Sequence, residues 1–456
     1  MSSWELKKLS EVADIIGGAT PKSDVDEYFN GDIPWITPKD LSGYKNRYIS
    51  KGERNITKLG LENSSAKLLP KGAVLFTSRA PIGYVAIADN EVSTNQGFKS
   101  LVLKDGNIPE FFYYLLKHNI PLFEARATGS TFKEVSGQVV KNTELLIPSI
   151  DIQKKIVDLV SPLDEKIELN TQINQTLEQI AQTIFKSWFI DFDPVHAKAN
   201  ALANGQTTEQ ATQAAMAVIS GKNTQELHRL QTANPEQYQQ LWEIAEAFPS
   251  GVDEEGVPRG WEQTTLSEVC SMKNGYAFKS SDWTEEGIPV IKIGSVKPMI
   301  VEVDGNGFVD EEHSVLHSEF LLTEGDIVVG LTGYVGEVGR IPQGRTAMLN
   351  QRVAKFIPNK LNEQQDYYSF VYCLVRDKSF KAFAETNAKG SAQANISTKE
   401  LLNYSIILAS SEIQMKFESL IKPLLDKILV NSGNNEYLSK VRDLLLPNLL
   451  SGEIHL

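Results

Sequence analysis

Only two cysteines, Cys270 and Cys373, stand in 456 residues. A pair builds neither a disulfide framework nor a cysteine-rich zinc site, and it fits a reducing compartment. No stretch approaches the roughly 18 apolar residues that span a bilayer. The opening MSSWELKKLSEV lacks the apolar run of a secretory signal. The expectation is a soluble, cytoplasmic protein. Catalytic signatures are missing as well. There is no P-loop and no G-x-S-x-G elbow. Gly333, Gly336 and Gly339 lack the G-x-G start of a dinucleotide fingerprint and read as tight turns. Asp191-Phe192-Asp193-Pro194 pairs two carboxylates beside a helix end, where they cap or terminate it. The six histidines are scattered. His313 and His317 can share a helix face, but no H-E-x-x-H motif or third ligand accompanies them. The chain is expected to hold no metal, no cofactor and no catalytic residue, which points to a binding module.

Basic excess is lacking too. The formal charge is −13, a poor starting point for phosphate contact. The deficit is uneven. Residues 1–150 carry 18 basic and 17 acidic side chains, while 151–195 carry 4 and 8, and 196–260 carry 4 and 8. Residues 261–408 carry 14 and 19, and 409–456 carry 5 and 6. The first segment is nearly neutral, so a local basic face is possible there. The second globular segment stays acidic.

What the chain does have is a repeat. Trp4-Glu5 and Leu9-Ser10-Glu11-Val12 recur as Trp261-Glu262 and Leu266-Ser267-Glu268-Val269. Asn95-Gln96 recurs as Asn350-Gln351, Gly129-Ser130 as Gly390-Ser391, and Ile152-Gln153 as Ile413-Gln414. Across these matches, and on to Asn170 and Asn431, the offset stays between 253 and 261. Each half has a globular segment, 1–150 or 261–408, followed by a helical one, 151–195 or 409–456. Residues 196–260 lie between them as a partly helical connector, with helices expected over 206–220 and 224–247. The globular segments read as mixed α/β. VLFTSR, YVAIA and KSLVLK are short strands, and so are IPVIKIG, DIVVGLT, VGEVGRI and RVAKFIP. FFYYLLKHNIPLFEARA and YYSFVYCLVRDKSFKAFAE each read as a helix.

The helical segments carry heptads. Ile156, Leu163, Asn170, Leu177 and Ile184 stand seven apart, as do Phe417, Leu424, Asn431, Leu438 and Leu445. Ile152, Leu159, Ile173, Ile180, Ile413, Leu420 and Val441 fill the intervening positions. A central Asn in each seam fixes register at a cost in stability. Pro162 and Pro423 are expected to break or kink each helix near its start. About 25 residues follow Pro162, or roughly 37 Å of helix. The alternative is two amphipathic helices packed separately on their own domains.

In combination these segments resemble the specificity subunit of type I restriction–modification systems. WELKKLSEV, GWEQTTLSEV, GDIPWITPKDL, LPKGAVLFTSRAPIGYVAI and STNQGFKSL resemble target-recognition domains of that family. IPSIDIQKKIVDLVSPLDEKIELN with LEQIAQTIFKSWFIDFDPV resembles its central conserved helical region. IILASSEIQMKFESLIKPLLDKI with LLLPNLLSGEI resembles the distal one. The resemblance implies an α+β fold, with two mixed α/β target-recognition domains separated by two long helices. Those helices would form an antiparallel coiled coil in a pseudo-two-fold internal repeat. Each domain would read one half of a bipartite, asymmetric site on double-stranded DNA, and the helices would set the spacer. It also implies partners in phage defence: modification subunits, two of them, using S-adenosylmethionine, and restriction subunits driven by ATP and Mg.

Phosphate contacts position a protein, whereas base-edge contacts specify sequence. The DNA-binding candidates in the first half are therefore Lys39, Arg79, Asn95, Gln96, Lys99, Thr131 and Lys133. Those in the second are Lys292, Thr332, Tyr334, Asn350, Gln351, Arg352, Ser391 and Gln393. The Arg79 guanidinium suits guanine, and Asn95-Gln96 offers paired amides to adenine. Each amide has a turn-capping alternative, and each cation can simply be solvated. The repeated Asn-Gln pair is a candidate for structure, so base choice should rest on residues that differ between halves. The competing function is a duplicated coiled-coil scaffold that binds only proteins.

Overall fold

The computed structural model describes residues 4–129, 133–390 and 393–454. It contains two compact units: Met1–Leu169 with Asn435–Leu456, and Asn170–Asn434. In the first unit a five-stranded sheet runs Ala13–Gly17, Lys99–Leu103, Val74–Ser78, Ile82–Ala88, Tyr48–Ile49. Neighbours are antiparallel except the last pair, where Tyr48 stands in parallel register with Ile87. Val74–Ser78 is buried at every residue. Both its faces are covered, which is why its sequence does not alternate. A three-stranded sheet follows the order Arg54–Ile56, Phe29–Ile36, Ser93–Thr94. Its Ile36 shares a buried cluster with Leu75 and Ala86 of the large sheet. Trp4–Lys8 pairs antiparallel with Glu144–Pro148 and closes the fold.

The second unit repeats this plan. Its five-stranded sheet runs Cys270–Asn274, Val353–Pro358, Ile327–Gly330, Val338–Arg340, Met299–Ile300, and again only the last pair is parallel. The small sheet gains a strand, in the order Phe308–Val309, Ile288–Ile291, Ala347–Leu349, Leu321–Leu322. Glu262–Thr265 pairs with Ser405–Leu408 as the closing clasp. The internal repeat is thus a repeat of topology.

The expected single aromatic helix of each half is two helices. In the first half they are Pro109–His118 and Ile120–Ala125, and in the second Tyr368–Arg376 and Lys378–Asn387. Pro121 lies in the first turn of one follower, where its missing N–H is tolerated. Asp377 caps the other by accepting from the Ser379 amide at 2.8 Å. Gly333 and Gly336 take positive φ as expected of turns. Gly339 instead lies in a strand, where a Cβ would meet the Lys297 carbonyl oxygen at 2.4 Å.

Two long helices, Ile150–Phe189 and Ser411–Ser451, continue without interruption through Pro162 and Pro423. The expected break does not occur. Pro162 and Asp158, whose carbonyl loses its amide partner, both lie on the exposed side, and packing of the opposite face offsets the roughly 3 kcal/mol penalty. The first helix ends at Phe189, before the Asp191–Pro194 stretch, where Phe192 is left-handed.

The two helices pair antiparallel in each unit. In the first, Arg442 Nη1 meets Asp164 Oδ1 at 2.6 Å and Asn435 Nδ2 donates to the Ile167 carbonyl at 3.3 Å. In the second, Asn174 Nδ2 donates to the Ile428 carbonyl at 3.3 Å, and Phe185 packs on Phe417. The buried line differs from the heptad seam. Ile156, Asn170, Phe417 and Asn431 are buried, whereas Leu163, Leu177, Ile184, Leu424, Leu438 and Leu445 are only half-buried. Leu159, Ile180 and Leu420 are exposed. Positions 160, 164, 174, 178, 181 and 185, off the heptad, are buried as well. A helix of 3.6 residues per turn drifts from a seven-residue repeat. Each helix also packs on its own α/β fold as well as on the other helix: Ile156 joins the core of Phe112 and Phe123, and Phe417 that of Phe370. The covered face is therefore wider than a coiled-coil seam.

Between the halves stand four helices, Asp193–Ala203, Thr208–Ser220, Thr224–Ala233 and Pro235–Ala247. The last three share a small core of Ala215, Met216, Leu227 and Ala245. Buried Lys198 donates to the carbonyls of Ala245, Glu246 and Phe248 at 3.2, 3.0 and 2.6 Å. It thereby satisfies a helix C-terminus that would otherwise be orphaned, while burial pushes its pKa down. Among the described residues no helix is long and apolar enough to cross a membrane.

Candidate nucleic-acid interface

In the first unit three loops converge where the large sheet ends. The chain leaves Val74–Ser78 at Arg79, turns through Asn95–Gly97, and returns in a loop closed by the Thr128–Glu134 bridge. Backbone bonds lock the three together: Ser78 N–H donates to the Gly97 carbonyl at 2.7 Å, and Val135 N–H to the Ser78 carbonyl at 2.9 Å. The stretch after Ala13–Gly17 and the turn after Phe29–Ile36 lie against them. A Cβ on Gly18 would meet the Asn95 carbonyl oxygen at 2.0 Å, and one on Gly97 would meet Pro38 at 2.8 Å.

This brings most of the first-half candidates together. Arg79 Nη1 and Lys99 Nζ flank the Glu134 carboxylate, each at 3.5 Å. Asn95 Oδ1 accepts from the Gly97 amide at 2.9 Å, so its side chain caps the turn. Gln96 is exposed and Oε1 accepts from Thr20 Oγ1. Lys133 is exposed beside Glu134. Lys39 points outward and pairs with Glu53 at 2.6 Å, which raises its pKa. Thr131 lies outside the described residues.

The second unit converges likewise. Leu331 N–H donates to the Arg352 carbonyl and Ile396 N–H to the Leu331 carbonyl, both at 3.0 Å. Thr332 is bridged to Asn395, and its Oγ1 donates to Asn395 Oδ1 at 2.7 Å. Tyr334 is 69% exposed, so its ring is free for contact. Asn350 N–H donates to the Ile291 carbonyl and Gln351 N–H to that of Tyr276. Gln351, Arg352 and Gln393 are exposed. Lys292 Nζ sits 3.8 Å from the Trp283 ring centroid. Trp283 belongs to an aromatic group with Phe278. His313 also packs on Phe278, with Nδ1 against Asp310 at 2.7 Å. Lys389, at the base of the returning loop, binds Glu400 at 2.7 Å, which holds that carboxyl down at about 2. Ser391 lies outside the described residues.

Sequence reasoning missed Glu134, Thr20, Asn395 and the Tyr276–Phe278 group. Glu134 and Asn395 sit the same distance after the repeated Gly129-Ser130 and Gly390-Ser391, a signal that was present.

Each fold is anchored to the long helices by buried arginine. Arg47 donates to Ser161 Oγ at 2.6 Å and Tyr114 Oη at 3.2 Å. Arg340 lies over Tyr372 at 4.4 Å and donates to the Leu425 carbonyl at 3.1 Å. Tyr114 Oη also donates to Asp164 at 2.5 Å, and Tyr372 Oη to Glu178 at 2.8 Å. Burial pushes both phenols up, so they remain neutral donors. The two loop clusters therefore stand on folds that are pinned to the long helices.

Two copies of one α/β fold, each gathering polar loops at one end, define a duplicated recognition chain. The family described as type I restriction modification DNA specificity domain matches residues 1–179 and 258–439. The chain is 33% identical to the MjaIX specificity subunit of Methanocaldococcus jannaschii, covering 99% of this chain and 93% of the relative. It is 34% identical to the HindI specificity subunit of Haemophilus influenzae, covering 95% of this chain and 100% of the relative. The crystal structure of a type I S subunit from M. genitalium superposes with TM-score 0.52 at 18% identity, covering 98% of this chain and 96% of that one. The chain belongs to the specificity-subunit family of type I restriction–modification systems. DNA target recognition is the role of that family, and the enzymatic activities lie in partner subunits.

Proposed function

We propose that the two recognition folds, residues 1–150 and 261–408, each read one half of a bipartite, asymmetric site on double-stranded DNA. Residues 151–195 and 409–456 set the spacer and dock two modification subunits, and 196–260 connects the halves. In this reading methylation uses S-adenosylmethionine held by the modification subunits. Cleavage uses ATP and Mg held by restriction subunits, and the complex works in the cytoplasm. The DNA contacts are the described residues of the two loop clusters: Lys39, Arg79, Asn95, Gln96, Lys99 and Lys133, and Lys292, Thr332, Tyr334, Asn350, Gln351, Arg352 and Gln393. Thr131 and Ser391 belong to the same proposal from sequence.

The observation that carries this reading is the repeated convergence of the same three loops with different side chains. A scaffold that bound only protein would have no need of two dissimilar polar loop clusters on one topology. The acidic balance implies that the chain alone binds DNA weakly and relies on its modification subunits to enclose the duplex. The test is binding of the chain with its modification partner to duplex DNA in rising salt. The logarithm of affinity should fall linearly with the logarithm of salt concentration. Absence of salt-dependent binding would leave the protein-binding scaffold as the better account.

A further inference from the structure

The locked backbone of the three loops puts residues of the two halves into register. Ser78 corresponds to Leu331 and Gly97 to Arg352, because each pair makes the same N–H to carbonyl bond, and Val135 corresponds to Ile396 for the same reason. It follows that Arg79 stands where Thr332 does, Lys99 where Ala354 does, and Glu134 where Asn395 does. The Arg79–Glu134 and Thr332–Asn395 bridges are the same bridge. Three charged residues in one half are replaced, as a set, by three neutral ones in the other.

We propose that this cross-loop set distinguishes the two half-sites: Arg79 and Glu134 read a G·C pair, and Thr332 and Asn395 read an A·T pair at the matching position. The inference rests on the recognition reading above. A carboxylate is repelled by phosphate, so Glu134 is out of place among contacts that only position the backbone. In the major groove it has a use, since a carboxylate accepts from cytosine N4 while a guanidinium forks onto guanine O6 and N7. Both separations to Glu134 are a loose 3.5 Å, and the Arg79 and Glu134 side chains are 36% and 37% exposed, so both can still reach a base. Lys99 is more covered and holds the other carboxylate oxygen, which makes it a positioning residue. In the second half, Thr332 occupies one lone pair of Asn395 Oδ1. The other lone pair and the Nδ2 hydrogens match adenine N6 and N7.

The experiment selects from a randomised duplex library with the full chain and its modification partner. It compares the wild type with Glu134→Gln, Arg79→Lys and the set Arg79→Thr, Lys99→Ala, Glu134→Asn. Glu134→Gln and Arg79→Lys should each lose about ten- to a hundredfold discrimination at one base pair of one half-site. The other half-site and the thermal midpoint should not change. The triple exchange should turn the preference at that position from G·C to A·T. Should the triple variant fail to fold, the isosteric Glu134→Gln decides. Unchanged discrimination in both single variants overturns the proposal, and so does an equal loss of affinity for every sequence. A wild-type complex that selects no sequence at all would instead overturn the recognition reading itself.

Discussion

The two halves share a strand order and a helix-to-carbonyl contact, yet they differ in how each long helix holds its own fold. Gln153 and Gln414 occupy the same place in the repeat. Gln153 accepts from the Ile108 amide at 3.1 Å and donates to Asn107 and the Pro148 carbonyl at 2.9 and 3.0 Å. Gln414 is just as buried, and neither of its polar side-chain atoms has a partner. The task has moved one turn along the helix. Glu418 accepts from the amides of Ser369 and Phe370, both at 2.9 Å, where the first half has Val157. Arginine anchoring has moved too, from Arg47 ahead of one strand to Arg340 within another. A geometric requirement can thus persist while the residue that meets it changes.

The aromatic packing sharpens the contrast most. Phe417 is ringed by Phe185, Trp188 and Phe189 at 6.1, 5.8 and 4.9 Å, whereas its counterpart Ile156 is itself aliphatic and sits in a mixed cluster with Phe112, Val160 and Leu449. Phe417→Ala should cost about 3–5 kcal/mol in a urea titration, and Ile156→Ala about 2–4 kcal/mol. Equal costs would mean that the cage adds nothing beyond burial.

Next comes pH. Burial pushes the Glu418 carboxyl up to about 7 from an ordinary 4.5, with the two amide bonds pulling it only partly back. Between those values the folded state binds more protons than the unfolded one. The stability from this group is therefore complete below about pH 4.5 and lost as pH rises through about 7. Glu418→Gln should flatten that fall, worth up to about 3 kcal/mol. Val157 offers no such slope, so Val157→Ala should leave the pH profile's shape unchanged.

A smaller effect separates the glutamines. Gln153→Leu should cost about 1–3 kcal/mol, because it strands a buried amide and a carbonyl. Gln414→Leu should be neutral or stabilising, since it removes two polar atoms that are already unpaired. Both are read from the same denaturant titration, and a matching loss at Gln414 would show that the comparison fails.

Much of the fold was legible because the duplication made each half a check on the other. Strands such as VLFTS and VAKFIP follow from apolar runs bounded by turns, and the connector helices from Gly221 and Pro235. The seam was less legible. A strict heptad assumes that one partner helix covers the residue face, whereas Ile156 and Phe417 also pack on their own α/β folds. The prolines misled because propensity cannot see which side of a helix is exposed. Among candidate contacts, Arg79, Lys99 and Asn95 were gathered by loops whose closeness depends on Ser78 and Gly97, residues with no signature of their own. Glu134 is not legible in this way, because an acid carries no phosphate-binding charge.

The central claim is that one topology carries two separate reading surfaces. It is tested most directly by mapping the methylated DNA motif produced with the wild-type chain and with a chain altered only at Arg79, Gln96 and Lys99. The account predicts that one element of a two-part motif changes while the other element and the spacer stay as they were. A change in both elements, or in neither, would contradict it.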